Sequence, residues 1–242
     1  MATAPFGSAQ GRPLLHRWGR LALDLVFPPR CAVCGAMGAF LCPACLESMP
    51  RALPPRCPVC WQPGRFASSC TDCREQPPAF RALRTPYLMA SAARGAVHAL
   101  KYGHFSALAE EMGRLMAESV AGKDLAADSV VPVPLHSRRR RSRGYNQSAL
   151  LAKAVAAVLG LPVDEGALVR RRARPPQAGA ASAEERRRNV EGAFEARRGL
   201  AGRRILLIDD VTTTGATLDA CAGALGEARA ASVHCLAFAR ED

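Results

Sequence analysis

Apolar and polar positions along this 242-residue chain follow two periods that exchange at clear boundaries. Residues 146–159 place Leu150, Leu151, Val155, Val158 and Leu159 at helical spacing, which predicts a helix with one buried face. Residues 92–102 and 107–120 read as two further amphipathic helices separated by Gly103. Short apolar runs predict strands at 80–90, 130–135, 167–169, 205–208 and 232–239, with a last helix over 216–229. Strands alternating with helices imply an α/β fold, a mainly parallel sheet covered on both faces. Patterning fails at 170–190, where Pro175, Pro176, Gly179 and many charges interrupt it. A loop that long in a compact domain is more often functional or disordered than ornamental.

One stretch carries chemistry. ILLIDDVTTTGATL, residues 205–218, is a buried-strand run that ends in Asp209 and Asp210, where open α/β sheets place their ligands. Gly215 lets the backbone approach closely, and Thr213, Thr214 and Thr217 offer hydroxyls beside the free N–H groups of a helix that begins near Ala216. An anion is therefore expected on the loop. The two carboxylates accept hydrogen bonds from sugar hydroxyls, or hold a divalent cation that bridges sugar and phosphate. Diol on one side and phosphate on the other describe a ribose 5-phosphate. Helix capping alone accounts for one Asp and one Thr, not for the whole string.

Of ten cysteines, eight fall into four C-x-x-C pairs: Cys31/Cys34, Cys42/Cys45, Cys57/Cys60 and Cys70/Cys73. No secretory signal is evident, because Asp24 follows Arg12, Arg17 and Arg20, and the apolar run 21–27 is too short to span a bilayer. The expected compartment is the cytoplasm, where thiols stay reduced and the pairs read as structural zinc knuckles. Eight thiolates supply two sites. Spacing allows pairing in sequence order, or crossed pairing of first with third and second with fourth. Cys221 and Cys235 are expected in the core.

Charge adds a partner class. The formal net charge is +12, and residues 138–204 hold 17 Arg and Lys against 6 Asp and Glu. That field suits a polyanionic small molecule such as a diphosphate, or single-stranded nucleic acid with Tyr145 and Phe194 nearby. A solvated basic face explains any one arginine as well, and 5% aromatic content is thin for a stacking platform.

These segments resemble known ones. Residues 205–218 look like the 5-phosphoribosyl 1-diphosphate motif of type I phosphoribosyltransferases. VVPVPLHSRRRRSRGYNQSALLA, residues 130–152, resembles the PVPL…RGFNQ segment of the ComF family. So does PPQAGAASAEERRRNVEGAF, residues 175–194, where Gln177, Arg186 and Asn189 fall at the family's Q…R-x-x-N positions. Ala99-Leu100-Lys101-Tyr102-Gly103 matches its ALKYG segment, and the knuckles match its double zinc ribbon. The resemblance covers nearly everything from Leu21 to Arg240.

It implies a Rossmann-like, mainly parallel sheet of the type I phosphoribosyltransferase kind with a small N-terminal zinc-ribbon domain. The implied layout is an N-terminal segment (1–29), the double zinc ribbon (30–78) and a phosphoribosyltransferase-like domain (79–242) with a flexible hood near 170–192. Implied catalytic residues are Asp209, Asp210, Arg186 and Lys101. Implied substrate contacts are Val211, Thr212, Thr213, Thr214, Gly215, Ala216, Thr217, Arg143, Asn146, Gln177 and Asn189. The implied activity is Mg²⁺-dependent transfer of phosphoribose from its 1-diphosphate to an unidentified acceptor, with a link to competence, the uptake of transforming DNA. The alternative is a non-catalytic nucleotide-sugar sensor or single-stranded DNA-binding competence factor. By analogy, the loop after Pro134 holds the diphosphate, but Leu135-His136-Ser137 leads into four arginines instead of a small-residue turn. His136 reads either as an acid or base, or as a surface or capping residue. No N-terminal catalytic Cys begins the chain, which speaks against ammonia channelling. Residues 18–27 form an expected helix that packs on the core or touches the inner membrane, and a homodimer is left open.

Overall fold

The computed structural model describes residues 28–103, 105–122, 126–171, 190, 192–197 and 199–242. In chain order the elements are α1 (Pro43–Glu47), α2 (Thr71–Glu75), β1 (Ala82–Arg84), β2 (Tyr87–Leu88), α3 (Ser91–Tyr102), α4 (Leu108–Val120) and β3 (Ser129–Pro132). They continue with α5 (Ser137–Arg143), α6 (Gln147–Leu159), β4 (Leu168–Arg170), β5 (Phe194–Ala196), β6 (Arg204–Thr212), α7 (Ala216–Glu227) and β7 (Ser232–Arg240).

The run Ile205–Ile208 is buried on both sides, as a central parallel strand requires. β6 lies between β3 and β7, with Leu207 opposite both Val131 and Cys235, and β1 and β2 pair with the outer side of β7. Every pairing in this sheet is parallel. Leu206, Ile208 and Phe238 face α3, α4 and α6 in one core; Ile205, Leu207 and Cys235 join α7 and Phe194 in the other. Cys221 and Cys235 are fully buried there, in keeping with small core residues. Asn146 caps α6 by accepting the Ser148 N–H at 3.1 Å. On α4, a Cβ at Gly113 would lie 2.3 Å from the Ala154 Cβ, so the bare backbone lets α4 and α6 approach.

Four details differ from the sequence pattern. The stretch 80–90 splits into β1 and β2 at Thr85 and Pro86, where proline offers no N–H to a ladder. β6 continues through Thr212, so Asp209 and Asp210 belong to the strand instead of following it. Ser137–Arg143 forms α5, a helix with no apolar residue to announce it. β4 and β5 form an antiparallel pair, Arg170 opposite Phe194, whose ends bracket the unpatterned stretch.

The amino-terminal part is a repeat. The first C-x-x-C pair of each set turns on an N–H to carbonyl bond, Gly35 to Cys31 at 2.8 Å and Trp61 to Cys57 at 3.0 Å. In the second pair of each set the first cysteine precedes a short helix and the other lies within it, Cys42 and Cys45 with α1 and Cys70 and Cys73 with α2. The Cys42 and Cys70 N–H groups point to Cys31 Sγ and Cys57 Sγ at 3.5 and 3.3 Å. Cys31, Leu41, Cys42, Cys45 and Met49 enter the core beside α3. The chain of the ribbons also runs along the outer edge of β1 and β2. Leu83 N–H donates to Val59 O at 2.7 Å, Leu88 N–H to Pro50 O at 2.8 Å, and Ala52 N–H to Pro86 O at 2.9 Å. Among the described residues, no helix is long and apolar enough to cross a membrane.

Candidate functional site

β3 and β6 are neighbours whose onward connections diverge. After β3 the chain returns beside its outer edge, where Val163 bridges Val130, whereas β6 leads through α7 to β7 on the opposite side. Such a reversal opens a crevice at the carboxyl ends of the strands. A cleft of about 560 Å³ lies there, lined by Val133, Pro134 and Leu135 after β3, Asp209 and Asp210 of β6, and Thr217 of α7. Lys101 and Tyr102 close one side, and Arg139, Ser142, Arg143, Asn146, Gln147, Ser148 and Arg170 another.

The acid pair is buried and held. Ser148 Oγ donates to Asp209 Oδ1 at 2.8 Å, and the Asp210 N–H reaches the same oxygen at 2.9 Å. Lys101 Nζ lies 2.8 Å from Asp210 Oδ2. Burial, then the charge of Asp210, pushes the Asp209 carboxyl up to about 7; the Ser148 hydroxyl, the Asp210 N–H and Lys101 pull the other way. The site therefore holds a carboxyl whose charged form awaits hydrogen-bond donors or a cation.

The remaining expected residues divide. Arg143 lines the cleft, its guanidinium donating to Gln147 Oε1 at 2.8 Å and lying 4.9 Å from the Tyr102 ring centre. Asn146 lines it too, but its amide is engaged: Nδ2 donates to Val133 O at 3.0 Å while Oδ1 caps α6. Gly215 has φ +81°, a left-handed conformation that favours glycine, and so lets β6 turn into α7. Thr214, Gly215 and Ala216 line a separate cavity of about 120 Å³, and Thr214 Oγ1 accepts the Ala216 N–H at 3.4 Å. Thr212 is buried, while Val211 and Thr213 are half-buried and line neither cavity. Gln177, Arg186 and Asn189 lie outside the described residues.

His136 caps α5, its Nδ1 accepting the Arg138 N–H at 3.2 Å. The aromatic rings near the arginines are not free platforms. Tyr145 hydroxyl donates to Leu100 O at 2.5 Å, and Phe194 is buried under the Arg170 guanidinium. Ser148, Arg139, Arg170 and Tyr102 line the cleft with no role assigned from sequence. Ser148 had one usable signal, its place in the first turn of a helix that starts beside the β3 end.

Two metal centres are assembled in sequence order, Cys31/Cys34/Cys42/Cys45 and Cys57/Cys60/Cys70/Cys73, with the four sulfurs of each set within 4.8 Å of one another. A tetrahedron with metal–sulfur bonds of about 2.3 Å needs sulfurs about 3.8 Å apart, so four thiolates fit a structural zinc with no open position. A second basic cleft of about 520 Å³ lies across α5, lined by Arg140, Lys153, Arg170 and Arg197 with apolar Leu135, Leu150, Leu168 and Val169.

A double zinc ribbon domain model matches residues 22–74, and a phosphoribosyl transferase domain model matches residues 146–242. DNA utilization protein YhgH of Escherichia coli (strain K12) is 35% identical over 175 residues, 69% of this chain and 76% of its own. Its namesake in Salmonella typhi is 32% identical over 200 residues, 80% of this chain and 87% of its own. Competence protein F of Haemophilus influenzae is 37% identical over 95 residues, 38% of this chain and 41% of its own.

Proposed function

This chain belongs to the ComF family, double-zinc-ribbon proteins with a phosphoribosyltransferase domain, and from that premise we propose that its cleft binds 5-phosphoribosyl 1-diphosphate with Mg²⁺ and transfers phosphoribose to an acceptor. The observation that carries the reading is the buried acid pair, held by Ser148 and Lys101 inside a cleft whose other charged walls are arginines. Asp209 and Asp210 accept hydrogen bonds from the ribose hydroxyls, and Lys101, 2.8 Å from Asp210 Oδ2, holds that side chain in place. The turn from Thr213 to Gly215, between Val211 and Thr212 at the end of β6 and Ala216 and Thr217 at the start of α7, takes the 5-phosphate. Asp209 and Asp210 are the residues that would hold a Mg²⁺ ion carried by the sugar diphosphate, and such an ion would supply neutralisation of the leaving group's charge. Arg139, Arg143 and Arg170 face the same charge from the protein side, with Arg186 of the hood segment as a further contributor. In the transfer, the bond from ribose C1 to the diphosphate oxygen breaks, a bond from the acceptor nucleophile forms, and the acceptor loses a proton. The hood, with Gln177 and Asn189, excludes water from a ribosyl centre that it would otherwise hydrolyse.

Calorimetric titration with the sugar diphosphate and Mg²⁺ tests the donor half. Accepting the ribose hydroxyls needs Asp209 as a carboxylate, so affinity should rise with pH until it levels off above about 7, falling by up to ~10-fold per unit below that point. Diphosphate release with one member of a nucleobase and amine panel would then identify the acceptor. Absence of binding heat from pH 6 to 8.5 would sink the reading.

The relatives named for DNA utilization and competence, together with the second basic cleft, support a further role in handling single-stranded DNA. Lys153 there is paired with Glu165 at 2.8 Å, which leaves Arg140, Arg170 and Arg197 as the cationic wall. Replacing Arg140 and Arg197 by Glu should weaken binding of a single-stranded oligonucleotide and flatten its salt dependence. Wild-type affinity that ignores salt, or no affinity at all, removes this role.

A further inference from the structure

The two ribbons pack against elements that lead into the donor cleft, although neither lines it. The first packs on α3, where a Cβ at Gly95 would lie 3.1 Å from Val33 Cγ1, and α3 ends at Lys101 and Tyr102. The second reaches the phosphate loop. Asp72, Cys73 and Gln76 face Thr214, Gly215 and Ala216 across the cavity of about 120 Å³. Just past this ribbon, the Ala79 N–H donates to Asp219 Oδ1 at 2.7 Å, and Asp219 stands in the first turn of α7. Beneath the loop, Phe80 and Leu83 come within 3.8 and 3.9 Å of where a Gly215 Cβ would lie.

The sequence from Cys73 to Leu83 thus supplies an outer wall, an anchoring hydrogen bond and a floor for one loop. The charge of Asp219 is the informative part. A carboxylate in the first turn of α7 repels a phosphate bound at that helix start, so it does not serve the anion directly. What it offers is a strong acceptor for the Ala79 N–H, which fixes where the ribbon meets the helix. Resting on the reading that this loop takes the 5-phosphate, we propose that the second ribbon is a positioning element for the phosphate loop. It acts through the Ala79–Asp219 bond, and loading of the Cys57/Cys60/Cys70/Cys73 centre sets 5-phosphate affinity.

Ribose 5-phosphate is the probe, because it engages the loop and the acid pair without a diphosphate. Calorimetry on the full chain, with zinc content measured alongside, compares wild type with Asp219→Ala and Asp219→Asn. Positioning predicts that Asp219→Ala keeps two zinc ions and loses ~10-fold in affinity, while Asp219→Asn, which still accepts the Ala79 N–H, stays near wild type. Simple charge removal predicts the reverse, tighter binding in both variants, and that result overturns the proposal, as does an unchanged Asp219→Ala. Cys73→Ser should lose zinc from one centre and weaken the probe likewise; if it does not fold, the Asp219 pair decides. Wild type that fails to bind the probe removes the underlying donor reading, whereas wild type that binds beside indifferent variants removes only this inference.

Discussion

Stripping zinc with a strong chelator is expected to collapse the amino-terminal part of the chain and lower the melting temperature of the whole protein by more than ~10 °C. Each four-thiolate centre is worth on the order of 10–16 kcal/mol in apparent binding energy, and in a site of this kind binding energy is folding energy. The ribbons have little else to hold them, since α1 and α2 are each only five residues long. Their loss would not stay local. Cys31, Leu41, Cys42, Cys45 and Met49 share a core with Val97, Leu100 and Phe238, so the first ribbon leaves an apolar face of α3 bare when it melts. Metal analysis should return two zinc ions per chain before treatment. A melting curve unchanged after complete removal would show that the thiols fold the ribbons without metal.

Asp209→Asn is expected to make the ligand-free protein more stable and nearly unable to bind the donor. In the folded chain the carboxyl titrates at about 7, above its ordinary value of 3.8. Between those two pH values the folded state retains a proton that the unfolded state has released. Stability therefore falls as pH rises through this window, and the full deficit is present above about 7. Asparagine keeps the oxygen that Ser148 and the Asp210 N–H address but carries no charge, so at pH 8 the variant should gain ~2–4 kcal/mol. At pH 4 the two proteins should be nearly equal. Donor affinity should drop ~100-fold, because hydrogen bonds from the ribose hydroxyls to a charged acceptor are replaced by weaker ones. Chemical denaturation at the two pH values checks the first half and calorimetry the second. Equal stability at pH 8 would mean that the acid pair is neutralised in the free protein in a way the geometry does not account for.

The parts of the fold that could be read from sequence are those in which one residue type has few uses. Four apolar residues followed by two acids, three threonines and a glycine have little other purpose at a strand end, and the eight cysteines restrict each other. What could not be read depends on closure in three dimensions. Ser148 meets Asp209 only because α6 packs across β3 and β6. Lys101 stands out by resemblance, yet its pairing with Asp210 follows only from α3 ending beside β6. α5 carries no apolar period, and what defines its ends is the His136 cap and Gly144 in a left-handed conformation. Spacing alone left the zinc pairing open, since both schemes satisfy it; the folded order is sequential.

The hydrogen bonds from Leu83 and Leu88 to Val59 and Pro50 place ribbon chain along the outermost strand of the sheet. An uncovered strand of that kind invites another chain to pair with it, and the break at Thr85 and Pro86 shortens the template without abolishing it. The ribbons therefore also guard solubility. Loss of zinc would uncover that edge and so favour self-association.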